Sequence, residues 1–86
     1  MTVNPQYILR ELAGQWLLVS IGEEENKRLL YLNEIGKDIY THLSNGLEGD
    51  DLLAALQEEY EADPATLRTD VEEYLKLLRA YNVIMD

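Results

Sequence analysis

The stretch Leu29-Leu30-Tyr31-Leu32-Asn33-Glu34-Ile35-Gly36-Lys37-Asp38-Ile39-Tyr40 decides the fold, because the spacing of its apolar residues changes midway. Before Asn33 the residues alternate, with Leu30 and Leu32 on one side and Leu29 and Tyr31 on the other, the period of a strand. After Asn33 the stripe Ile35, Ile39, Tyr40 and Leu43 has helical spacing. Asn33 suits the junction, because its side chain can accept from the free amides of a first helical turn. Strands are therefore expected before Asn33 and helices after it.

Toward the N-terminus, Tyr7 to Leu12 is a short mixed run and Ala13-Gly14 a tight turn. Gln15 to Ile21 then alternates, with Leu17, Val19 and Ile21 on one face and Trp16, Leu18 and Ser20 on the other. Apolar residues on both faces place this strand centrally between two neighbours. Gly22 to Lys27 is a charged turn, and Arg28 to Leu32 is the third strand. Connections this short imply an antiparallel meander.

Toward the C-terminus, Ser44-Asn45-Gly46 closes the first helix, with Gly46 suited to a left-handed conformation. A second helix is expected from Gly49 to Tyr60, with Leu52, Leu53, Leu56 and Tyr60 on one face and Asp50 and Asp51 at the positive end of its dipole. The third has Asp63 as cap and Pro64 at the first helical position. Its apolar positions are Leu67, Val71, Tyr74, Leu75 and Leu78, and the pattern fades near Asn82. The order β-β-β-α-α-α is an α+β, winged-helix-like architecture, a three-stranded antiparallel sheet followed by three helices.

The chain has 86 residues, which predicts a single domain spanning 1–86 with an ordered core from about 7 to 84. Its 17 Asp+Glu against 7 Lys+Arg give a formal charge of -10, while 47% hydrophobic residues argue against disorder. That balance argues against nucleic acid and against anionic membrane surfaces as partners. Without cysteine, disulfides, zinc thiolates and thiol nucleophiles are excluded. Neither a signal segment nor an apolar run of about 18 residues is present, so a soluble, cytoplasmic protein is expected.

Catalytic constellations are sparse. His42 lies mid-helix off the Ile39/Leu43 stripe and reads as a spectator. Ser20 and Ser44 lack the context of a nucleophile elbow. Glu23-Glu24-Glu25 lacks the spaced ligands of a calcium loop and reads as a solvated turn. An acyl-carrier role would need a serine at the start of the second helix, where Glu48-Gly49-Asp50-Asp51-Leu52 has none. No enzyme activity, cofactor or metal is expected.

With the order of elements established, the chain resembles the PqqD family, the precursor-peptide recognition elements of ribosomal peptide modification pathways. The resemblance rests on Leu30-Tyr31-Leu32-Asn33-Glu34-Ile35-Gly36, then Ile39-Tyr40, Leu43 and Gly46. Leu52, Leu56 and Tyr60 follow, then Asp70-Val71, Tyr74-Leu75 and Leu78, so it covers Tyr7 to Ile84. The family often has Trp where this chain has Tyr40. The resemblance implies a non-catalytic module that captures the leader of a precursor peptide and presents it to a modifying enzyme. That enzyme is often a radical S-adenosylmethionine protein, and in other pathways a cyclodehydratase, a lanthipeptide dehydratase or a leader peptidase. It also implies that the leader adds as a strand beside the third strand, in a groove walled by the third helix.

The residues are compatible with this. A third meander strand has one edge to offer an extended peptide. Lys27 and Arg28 lead into it; they suit both contact with acidic leader residues and protection against aggregation. Leu29, Leu30, Tyr31 and Leu32 complete the strand, with Leu30 and Leu32 expected inward. Ordering five leader residues costs about 5–10 kcal/mol, while each new hydrogen bond returns about 1 kcal/mol. Apolar anchors, at about 1.5–3 kcal/mol per buried side chain, must supply the rest. One flank of the third helix carries Asp70, Tyr74, Leu77 and Tyr81 and is the expected wall; the other flank carries Arg68, Glu72 and Arg79. A wider core or a cover for Val83-Ile84 is the alternative use of the first flank.

A second class of function fits the same sequence, an acidic winged-helix adaptor that binds a protein and no precursor peptide. DNA binding is disfavoured, because Arg68, Lys76 and Arg79 are outnumbered by carboxylates in the last two helices. The acidity itself predicts salt-sensitive steering toward a basic patch on an enzyme partner.

Overall fold

The switch of period at Asn33 is where the sheet ends and the helices begin. A computed structural model of the chain describes residues 1–21 and 28–85. Its elements are β1 (Thr2–Val3), β2 (Tyr7–Leu12), β3 (Gln15–Ser20), β4 (Leu29–Leu32), α1 (Glu34–Ser44), α2 (Gly49–Glu59), α3 (Pro64–Ala80) and β5 (Ile84–Met85). Lys27 and the Glu23-Glu24-Glu25 run lie outside the described residues.

Strands β2, β3 and β4 form an antiparallel sheet in that order, so β3 is central, as the apolar residues on both its faces imply. Ala13 and Gly14 turn the β2–β3 hairpin with φ of 52° and 80°, the pair of positive values that a two-residue hairpin of right-handed twist requires. The register places Leu18 opposite both Leu9 and Leu30, and Trp16 opposite Leu32, all on the core side. Leu30 and Leu32 are buried, as expected, while Leu29 and Tyr31 are 54% and 60% exposed on the outer face.

Helices α1 and α3 start at the caps their sequences supply. The Asn33 side chain accepts from the Gly36 amide at 2.9 Å, and the Asp63 carboxylate accepts from the Thr66 amide at 3.2 Å with Pro64 beside it. Gly46, at φ 90°, closes α1 by turning the Leu47 amide back to the His42 carbonyl at 3.0 Å. Ile39, Leu43, Leu52, Leu56, Leu67, Val71 and Leu78 converge with Leu18, Leu30 and Leu32 in one core.

The β1–β5 pair is an addition to the elements read from the sequence. Asn82 takes the left-handed position after α3, at φ 59°, and the Val83 amide returns to the Leu78 carbonyl at 2.8 Å. This turn aims Ile84 and Met85 at Val3 and Thr2, which pair with them antiparallel. The Asn4 amide donates to the Val83 carbonyl at 2.7 Å, and the Tyr7 hydroxyl to the Tyr81 carbonyl at 2.5 Å.

Candidate functional site

The ladder between β3 and β4 determines which backbone groups β4 has to spare. The Ser20 amide donates to the Arg28 carbonyl at 3.0 Å. Antiparallel strands exchange bonds at every second residue, so Arg28, Leu30 and Leu32 direct their backbone groups to β3. Leu29 and Tyr31 turn theirs to the opposite edge. No strand pairs with that edge among the described residues.

Helix α3 runs beside this edge in the opposite direction. In its second half, the Tyr74 hydroxyl donates to the Asn33 side-chain oxygen, at the end of β4. At its close, the Arg28 guanidinium lies 5.9 Å from the centre of the Tyr81 ring, at the beginning of β4. Between these two links no Cα of α3 comes within 8 Å of one of β4. The result is a cleft with an open strand edge on one side and the Tyr74–Leu77–Tyr81 flank on the other. It is about 17 Å long from Arg28 to Asn33 at strand rise.

At the Asn33 end the cleft deepens into a cavity of about 370 Å³, lined by Asn33, Ile35, Asp70, Glu73, Tyr74 and Leu77. Leu77 is 36% exposed, whereas Leu78 beside it is wholly buried. The close approach of α1 and α3 here depends on Gly36. A Cβ at that position would lie 2.6 Å from Cε1 of Tyr74, so the ring could not remain in place over a larger residue.

The structure thus brings Arg28 to Tyr81 at the beginning of β4 and gathers Asp70, Tyr74 and Leu77 in the cavity at its Asn33 end, while Leu30 and Leu32 face the core and Tyr31 lines a separate hollow beside Trp16. Sequence reasoning missed Ile35, Glu73 and the lining role of Asn33. A cap at the junction of an edge strand and a helix necessarily sits at the end of that edge, which was the available signal. Glu73 follows from Asp70 and Leu77 by helical spacing.

A separate polar network joins α1 to α2. Asp38 pairs with Lys37 at 2.5 Å and accepts a hydrogen bond from the Tyr60 hydroxyl. Burial alone would raise the Asp38 pKa, but the bonds from Lys37 and Tyr60 outweigh it and hold the carboxyl below its ordinary value. Burial, then the bond and charge of Asp38, push the Tyr60 phenol well up. His42 Nε2 lies 2.6 Å from Glu59 Oε1, an inter-helix link. None of these residues lines the cleft. Among the described residues no group of His, Asp and Glu could hold a metal ion, and no helix is long and apolar enough to cross a membrane.

The fold matches a solved structure, "TbiB1 in Complex with the TbiA(beta) Leader Peptide", with a TM-score of 0.81 over 100% of both chains at 18% identity. A search of curated proteins gives no match. The family model for coenzyme PQQ synthesis protein D (PqqD) matches residues 15–84, from the central strand through the last helix to β5. A match over that span, on a chain whose sheet, helices and junction at Asn33 follow the expected order, means that the protein belongs to the PqqD family.

Proposed function

We propose that this protein is a non-catalytic chaperone that captures the leader of a ribosomally made precursor peptide by strand addition at β4 and presents it to a modifying enzyme. The observation that carries the reading is the cleft. Among the described residues no strand pairs with the backbone groups of Leu29 and Tyr31, and an apolar flank of α3 lies across from them. The family match and the likeness to a leader-peptide complex support the same reading.

An extended peptide beside β4 would exchange hydrogen bonds with Leu29 and Tyr31. Its alternate side chains, opposite Arg28, Leu30 and Leu32, would then point toward α3. The central one would meet Leu77. Those at the ends would meet Arg28 and Tyr81, or Asn33 and Tyr74. Lys27 would add a second cation near Arg28 and favour acidic leader residues there. The enzyme partner would be of the radical S-adenosylmethionine class in many pathways of this family. At a chain charge of -10, that association should weaken as salt rises.

The test is an NMR titration of the labelled domain with the leader encoded by a neighbouring precursor gene. Shifts should concentrate on Arg28 to Leu32 and on the Asp70 to Tyr81 flank. A folded domain whose spectrum is unmoved by high micromolar leader would refute strand addition and favour the protein-adaptor reading.

A further inference from the structure

The two ends of the cleft differ in chemistry, and resting on the peptide-binding reading this difference specifies the ligand further. At the beginning of β4 stands a cation, Arg28, over the Tyr81 ring. At the other end the cavity is lined by the apolar side chains of Ile35 and Leu77 and by the carboxylates of Asp70, half-buried, and Glu73, exposed. Neither carboxylate is paired with a cation among the described residues, although α1 and α2 engage Lys37 and His42 in ion pairs. A space of about 370 Å³ accommodates one long side chain with its stem on Ile35 and Leu77 and its head beside the two carboxylates.

We propose that this cavity is a subsite for a basic peptide side chain, lysine or arginine, and that the cleft selects a charge-polarised leader segment. Long cationic side chains lay their methylenes on apolar surface while the charged head stays at the water boundary, and this cavity offers both. The phase of the strand sets the spacing. Residues opposite Arg28, Leu30 and Leu32 share the inner face, so the pattern is acidic–x–apolar–x–basic in the direction of β4. An antiparallel leader would carry it as basic–x–apolar–x–acidic from its N-terminus. An acidic residue in the cavity would face two carboxylates, so the same groups that choose the register oppose its reversal.

The experiment measures affinity of the full chain for synthetic peptides with an apolar centre and either lysine or glutamine at the cavity position, made in both chain directions. In the direction that binds, Lys→Gln should weaken binding about fivefold and Lys→Glu more, as expected of partly exposed ion pairs. The difference should shrink at high salt. It should vanish in the Asp70→Asn/Glu73→Gln variant, whose helix remains intact by circular dichroism. Lysine and arginine peptides should share the preference.

Equal binding of the lysine and glutamine peptides, with affinity still dependent on Leu77, would overturn the basic subsite and leave the peptide-binding reading standing. A lysine preference that persists in the Asp70→Asn/Glu73→Gln variant would overturn the subsite in the same way. Failure of every peptide, including the leader, would overturn both.

Discussion

Strands β5 and β4 each have an edge, and the chain treats the two in opposite ways. At the C-terminal end, Ile84 and Met85 leave α3 as an extended segment, and Thr2 and Val3 complete it. At β4, Leu29 and Tyr31 present an equivalent row of backbone groups, and no segment among the described residues completes it. Unpaired edges invite association with other chains, so folded proteins usually cover or blunt them. One edge is completed within the chain, and the other is the edge proposed to take the leader. Folding and binding should therefore separate under mutation.

The largest effect comes from placing proline on alternate residues of β4. Leu30→Pro removes an amide that bonds to β3 and a buried side chain, and should cost at least about 3 kcal/mol, enough to unfold much of a domain this small. Tyr31→Pro removes an amide of the open edge and a ring that is 60% exposed, and leaves the bonds to β3 in place. Its far-ultraviolet circular dichroism should stay native while affinity for the leader falls about tenfold or more. If Tyr31→Pro unfolds the protein and Leu30→Pro does not, the assignment of ladder phase is inverted.

Next in size is the contact that sets the cleft's width. Gly36→Ala places a methyl carbon against the Tyr74 ring. The ring must move, which should cost about 1–3 kcal/mol as overpacking does and lower Tm by roughly 5–15 °C. Because Tyr74 also lines the cavity, leader affinity should fall in the same variant. A tolerated Gly36→Ala with unchanged binding would show that the wall is more compliant than its geometry implies.

Deleting residues 1–4 breaks the β1–β5 pair and the Asn4 bonds but touches nothing at β4. The expected cost is about 1–2 kcal/mol, the scale of a few backbone bonds and the half-buried Val3. Leader affinity should not change. If affinity falls with the deletion, the two edges are coupled through α3 and the division of roles is wrong.

How much of this was legible differs along the chain for a physical reason. The hairpin, the third strand and the three helices announce themselves through period, and Asn33, Asp63, Pro64 and Gly46 mark boundaries by local chemistry. Strands of two residues have no period, so β1 and β5 escape any reading of alternation. Their pairing depends on the left-handed turn at Asn82 and on contacts 78 positions apart, such as Asn4 with Asn82. The apolar excess on the α3 flank was visible, because Leu77 is a large hydrophobe off the buried stripe. Its neighbours across the cleft were not, since Ile35 and Asn33 already had sufficient reasons in the helix stripe and the cap. Gly36 belonged to the family pattern without a local reason until Tyr74 supplied one.

The smallest effect tests whether stability can be removed far from both edges without touching the ligand. Asp38 is held ionised by Lys37 and Tyr60 despite its burial. A carboxyl whose folded pKa is depressed stabilises the protein above its unfolded value, ordinarily near 3.8, and loses that contribution as pH falls through the folded value. Asp38→Asn should cost about 1 kcal/mol near neutral pH, as loss of one charge-assisted hydrogen bond does. Its deficit relative to the parent should shrink as acid protonates Asp38 in the parent. Paired melts from neutral to acid pH read this directly, and a deficit that stays constant through the acid range would show that Asp38 acts through packing instead. Leader affinity at neutral pH should be the same in both proteins, because none of Lys37, Asp38 and Tyr60 lines the cleft.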